Sequence, residues 1–261
     1  MKLTNIKITV TVGILTLAAI ALAIAAEKPA VKDSYFDPDV DKLRDLPANL
    51  VVLRQTHFPD KTPKIRHIHD EDEGPVTRML GRNVSLRETI GEAYDCNPLR
   101  VVLPADGSKS GFDFLITTGS GAREQLQAAI RKQLGYTVRR EMQNVDVLLL
   151  KVEDSSLPGL AISGEDEKPD ITKDDKKLHF THQHLSILLD GLSEGMRQVV
   201  LDRTGLTSYY DFSVPWNPEI EKSMREGSFN PNDIKKFFAA WGLRLEPDTV
   251  SLDMFIVEKA H

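Results

Sequence analysis

Two histidine pairs are the side chains best suited to chemistry: His67-Ile68-His69 and His182-Gln183-His184, with His179 close to the second. Residues two apart in a strand project to one face, so either pair could share a metal ion from a strand, whereas in a helix the same spacing turns the rings apart. The second pair straddles an expected helix start. No carboxylate or cysteine stands at a recognised zinc spacing from either pair, which favours surface histidines. Asp113 and Asp211 sit between aromatics in Phe112-Asp113-Phe114 and Tyr210-Asp211-Phe212. Both are expected to cap or orient an adjoining turn, a direct functional role being the other reading. Asp70 to Gly74 lacks the glycine and glutamate positions of a calcium loop and reads as a solvated acidic turn. Thr118-Gly119-Ser120-Gly121 could offer amides to an anion, but without a phosphate-loop lysine or dinucleotide fingerprint it reads as a turn and cap. No nucleophile elbow, zincin motif or kinase set is present, so no cofactor is expected and no catalytic residue is assigned.

The elements that must position these groups recur. Ser85 and Glu88 form the pattern of a capping box before Leu86, Ile90 and Ala93, which fall on one helical face. Val101 to Leu103 and Phe112 to Thr117 read as strands. Leu126, Ala129, Ile130 and Leu134 form the stripe of a second helix, stopped by Gly135, and Tyr136 to Glu141 with Val145 to Val152 reads as a terminal hairpin. The same order follows from Leu185, Leu188, Leu189 and Leu192 through Gln198 to Leu201 and Tyr209 to Val214. Asn230, Pro231 and Asp233 then start a helix whose Ile234, Phe237, Phe238 and Trp241 share one face. That aromatic stripe reads as core rather than as a ligand platform. Gly242 stops the helix before two more strands. Val101 and Val199, Gly107 and Gly205, and Asp113 and Asp211 are all 98 apart, whereas Gly135 and Gly242, like Asp146 and Asp253, are 107 apart. One nine-residue insertion between Pro215 and Asn230 aligns the copies, which predicts an internal duplication.

The expected class is therefore α+β, with two related β-α-β-β-α-β-β domains after an N-terminal signal segment. The expected boundaries are a signal peptide or anchor at 1–25, a tether at 26–48, a first repeat domain at 49–153, a linker at 154–177 and a second repeat domain at 178–261. Lys2 and Lys7 precede an uncharged run from Ile8 to Ala26, and Ala23-Ile24-Ala25 has the small-x-small form of a cleavage site, so the protein is expected to be exported. Uncleaved, that run would be its sole attachment to a membrane. The chain carries a net charge of −6; removing Lys2 and Lys7 lowers its 33 basic residues to 31 against 39 acidic ones, or −8. Without a basic stripe, it is not expected to bind nucleic acid, where phosphate neutralisation supplies most of the affinity. Cys96 is the single cysteine, so no internal disulfide can form and the cores must supply stability.

The stretch Val199 to Phe212, including Asp202-Arg203-Thr204-Gly205-Leu206-Thr207, followed by Trp216 and Gly242-Leu243-Arg244-Leu245-Glu246-Pro247, resembles the soil-associated family of exported bacterial proteins of unknown function, domain of unknown function 3738. Val84 to Tyr94, Phe112-Asp113-Phe114 and Leu134-Gly135-Tyr136 are similar to that family's first half. More loosely, each repeat is similar to the short N-terminal domain of secretins and TonB-dependent receptors. The first resemblance transfers no activity and hints at sensing; the second implies a periplasmic protein-contact module. Together they lead to the expectation of an exported noncatalytic binding, assembly or sensing module of the cell envelope with an envelope protein as partner. The alternative expectation is an envelope hydrolase or metal-dependent enzyme using histidines and carboxylates between the domains. The regions where the copies differ, Asn49 to Gly81, the linker and the Pro215 to Asn230 insertion, are expected to carry function.

Overall fold

A computed structural model describes residues 31–69, 74–164 and 166–260. The expected signal segment, the start of the tether and Asp70 to Glu73 of the acidic turn lie outside the described residues. In chain order the elements are α1 (Val40–Asp45), β1 (Val51–Gln55), β2 (Lys64–His69), β3 (Val76–Val84), α2 (Leu86–Tyr94), β4 (Val101–Val102), β5 (Phe112–Ile116), α3 (Ala122–Ala129) and β6 (Tyr136–Val152). They continue with β7 (Ala161–Ile162), β8 (Asp170–Lys173), β9 (Lys177–Gln183), α4 (Ile187–Met196), β10 (Val200–Asp202), β11 (Tyr210–Pro215), α5 (Pro218–Glu226), α6 (Pro231–Ala239) and β12 (Leu243–Lys259). Three four-stranded sheets, ordered β1-β5-β3-β2, β10-β6-β12-β4 and β7-β11-β9-β8, make the fold α+β.

In the first half, the capping box forms as its sequence dictates. Ser85 Oγ accepts from the Glu88 amide at 3.2 Å, and Glu88 Oε2 accepts from the Ser85 amide at 2.8 Å. Two otherwise orphan helix donors are thereby satisfied. Leu86, Ile90 and Ala93 of α2 and Leu126 and Ala129 of α3 then bury against Phe112, Phe114 and Ile116 of β5. Alternate residues of β5 point to the other face, where Leu115 meets Phe36, Leu43, Leu50 and Leu80. The segment expected as a tether is thus folded onto the sheet in its described part: its charge disguised two apolar anchors, Phe36 and Leu43, that are almost fully buried. A strand, β2, likewise forms within the polar, charged stretch that precedes the acidic turn.

The expected terminal hairpins are absent from the described residues. Tyr136 to Val152 is a single 17-residue strand that pairs antiparallel with β12 along its whole length, from Tyr136 opposite Lys259 to Val152 opposite Leu243. Asn144, read from its type as part of a turn, stays extended opposite Ser251 because a partner strand continues past it on both sides. At about 3.4 Å per residue the ribbon is roughly 55 Å long. One end delivers Tyr136, Phe255 and Val257 to the first core, and the other delivers Leu148, Leu150, Leu243 and Leu245 to the second. Each half also adds a short parallel strand to the other half's long strand: β4 pairs with β12, and β10 with β6.

The stretch expected as a linker supplies β7 and β8 to the third sheet. Leu157 and Leu160 pack on the second core, and Gly159 lies directly against the Trp241 ring. The pattern behind this placement is thin in sequence, because both strands are short and Asp170 to Lys173 is exposed throughout.

Gly81 of β3 stands opposite Phe114 of β5, and a Cβ there would fall inside the fully buried Phe114 ring. Gly81→Ala is therefore expected to destabilise the protein by about 1–3 kcal/mol, the usual penalty of overpacking, measured by urea unfolding against the parent chain.

Candidate functional site

The six residues singled out in the sequence do not converge. His67 and His69 lie on β2 with ring centroids 6.5 Å apart, and a bulge follows Ile68. His67 Nε2 is 2.6 Å from Glu92 Oε2, whereas His69 Nδ1 is 2.7 Å from the Gly74 carbonyl. His182 and His184 flank Tyr209, with centroids 4.2 and 4.0 Å from its ring, so the tyrosine separates the two imidazoles. The second pair belongs to the third sheet and its exit, far along the fold from the first. His179 is 2.9 Å from Asp174, whose carboxyl is held down to about 2 by that hydrogen bond and by the amides of Lys176 and Lys177. Among the described residues, no group of three or more His, Cys, Asp or Glu side chains is arranged to hold a metal.

The two aspartates do matched local work. Asp113 is fully buried; its Oδ1 accepts from Thr56 Oγ1 at 2.7 Å and the Asn83 amide at 3.0 Å, and its Oδ2 from the His57 amide at 2.9 Å. Arg54 Nε lies 3.4 Å away, and the same guanidinium reaches Asp33 and covers the Phe36 ring. Asp211 accepts from Ser163 Oγ and, at 2.8 Å, from the His182 amide; these bonds lower its pKa. In each case the amide belongs to a residue with positive φ, 54° at Asn83 and 50° at His182, where the neighbouring strand bulges. A carboxylate that accepts the displaced amide holds a backbone conformation that side chains resist.

Two cavities stand out, and of these six residues only His67 lines either. A polar cleft of about 1150 Å³ runs between α2 and α4 and is lined by His67, Glu88, Glu92, Arg123, Asp190 and Glu194, among others. Some of its polar groups engage one another: Arg123 pairs with Asp95, and Asn97 Nδ2 donates to Asp190 at 2.9 Å. Burial, then the nearby Glu88 charge, raises the Glu194 pKa. Half-buried Cys96 also lines the cleft, and burial pushes its thiol up to about 11.

The second cavity, of about 630 Å³, is mostly apolar and is enclosed by α4, α5 and α6 over β9 and β11. Leu178, Phe180 and Val214 form its floor, and Leu188, Ile220, Met224, Ile234 and Phe237 its walls. Its origin is visible in the helix packing. In the first half α2 packs directly on α3, whereas in the second half α4 packs mainly on α5. Gly191 faces this space, where a Cβ would meet only Met224 Sδ, at 3.6 Å. By contrast, Gly195, one turn later, is covered by the Phe229 ring.

A family model described as protein of unknown function (DUF3738) matches residues 87–260. The chain belongs to this family. No curated protein and no solved structure matches it. The DUF3738 match takes in every residue lining the apolar cavity and begins after β3, so the His67 and His69 strand precedes it.

Sequence reasoning marked the Pro215 to Asn230 insertion but left α5 unread. Its signals were present: Asn217 caps the Ile220 amide at 2.8 Å, Pro218 takes the first turn, and Ile220 and Met224 are four apart. Three outcomes test the local chemistry. Asp113→Ala is expected to lose about 3 kcal/mol or more, because several buried donors lose their acceptor, and Asp211→Ala about 1 kcal/mol, because solvent reaches its surroundings; chemical denaturation measures both. Cys96 is expected to alkylate slowly with iodoacetamide at pH 7, the rate climbing steadily as pH approaches about 11.

Proposed function

We propose that this protein is an exported, noncatalytic binding module of the bacterial cell envelope, whose second half takes an apolar ligand between α4, α5 and α6. The observation that carries the reading is a cavity of about 630 Å³ whose wall residues Leu188, Ile220, Met224, Ile234 and Phe237 remain only partly buried. In the first half the corresponding helix faces are closed, with Leu86, Ile90, Leu126 and Ile130 at 1% exposure or less. Apolar area left open contributes about 25 cal/mol per Å² when a ligand covers it, and a cavity of this size lies in the range of small-molecule sites. Export rests on the Lys2 to Ala26 segment, and an envelope partner on the family resemblance.

The reading includes an internal duplication. It is supported by the two constant spacings in the sequence and by the ribbon register, in which Asn144 faces Ser251, 107 residues later, the same spacing as Gly135 to Gly242. Such a pairing is what two copies related by a local two-fold axis would make. The matched Asp113 and Asp211 bonds at bulged, positive-φ residues add to it. The alternative, a hydrolase or metal-dependent enzyme working between the halves, has only the polar cleft behind it. Of the six candidate residues His67 alone lines that cleft, and Glu92 engages it.

Gly191→Leu places a side chain inside the apolar cavity at a helical position, where leucine is the better helix former by about 0.8 kcal/mol. Titration with octanol, followed by calorimetry and tryptophan fluorescence, is expected to show saturable sub-millimolar binding to the parent protein and none to the folded Gly191→Leu variant. Equal binding by both, or none by the parent, would refute the apolar site.

A further inference from the structure

We infer that the ligand of the apolar cavity carries a cationic head, such as a protonated or quaternary amine, on an apolar body. This rests on the binding reading above and concerns the mouth of the same cavity. The ionisable side chains lining it are Glu219 and Asp233, and no lysine, arginine or histidine is among them. Neither carboxylate forms an ion pair among the described residues, although other acids of α5 do: Glu221 with Arg225 at 2.8 Å and Glu226 with Lys222 at 3.8 Å.

Both carboxylates stand in the first turn of a helix, Glu219 in α5 and Asp233 in α6, so the helix ends must be weighed against them. A helix N-terminus is equivalent to about half a positive charge, which offsets roughly half of one carboxylate and leaves the lining itself negative. Most of the first-turn amides that an anionic head would need are already engaged, since Asn217 Oδ1 accepts from Ile220 N at 2.8 Å and Asn230 Oδ1 from Asn232 N at 3.0 Å, and the Asn217 and Asn230 carbonyls accept from Glu221 N and from Asp233 N and Ile234 N. An anion would therefore meet two carboxylates and capped helices. A cation would meet the carboxylates and the aromatic rings of Trp216, Phe229 and Phe237, which also line the cavity. The chain's own Lys173 Nζ already lies 5.9 Å from the Trp216 ring centre, which leaves the rings of Phe229 and Phe237 for the ligand.

Three probes of one chain length separate head from tail: octyltrimethylammonium, octanol and octanoate, titrated into the full folded protein by calorimetry. The cation is expected to bind at least about tenfold more tightly than octanoate, with octanol between them. Raising the salt from low to high concentration should shrink that preference in the parent protein, since screening acts on the head alone. In the double variant Glu219→Gln/Asp233→Asn the three affinities should converge, while Glu221→Gln, which alters a paired acid outside the cavity lining, should keep the parent's order. Octanoate binding as tightly as the cation, or a preference that survives both high salt and the double variant, would overturn the cationic head while leaving the apolar site standing. Failure of octanol to bind at all would remove the apolar site and this inference with it.

Discussion

Everything else in the structure hangs on the pairing of β6 with β12. An isolated two-stranded ribbon is marginal in water, yet this one runs for 17 residue pairs because each end is buried in a different core. Its middle is covered on one face by Leu99, Val199 and Leu201, around Val147 and Leu149. The two halves therefore cannot be separated as beads on a tether. Each long strand contributes one end to its own half and one to its neighbour, and β4 and β10 cross over in the same reciprocal way.

With the ribbon fixed, the halves differ in how their helices close. α2 and α3 meet over the first sheet, and their apolar stripes vanish from solvent. α5 packs on α4, and the stripe on α6 that reads as core in sequence becomes partly the wall of the cavity they share. Phe238 and Trp241 do bury as core, but Ile234 and Phe237 face the opening. The same periodicity thus serves packing in one half and lines an open cavity in the other.

Much of the local structure was legible because its causes are local. Ser85 with Glu88, Asn230 with Pro231, and the stops at Gly135 and Gly242 each act within a few residues, and all appear where their chemistry places them. The aspartates were legible as a matched pair because aromatic neighbours recur at one spacing; their partners, on strands 30 and 29 residues away, were not. The ribbon was hidden for a similar reason: alternation reveals a strand, but pairing between residues 91 to 123 apart leaves no local mark, and Asn144 looks like a turn. Phe36 and Leu43 were lost in charged surroundings, and β7 and β8 were too short to carry a period. The cavity was the least legible feature, since it arises from where α5 packs and not from any residue type.

Native-state hydrogen exchange resolves these relations amide by amide. If one ribbon binds a closed half to a half held open by α5, the amides near Val138 and Val257 and those near Leu150 and Leu245 should exchange only through the same global opening, with α2 and α3 close behind and α5 exchanging much faster through local opening. Different opening free energies at the two ends of the ribbon, or an α5 as protected as α2, would contradict that architecture.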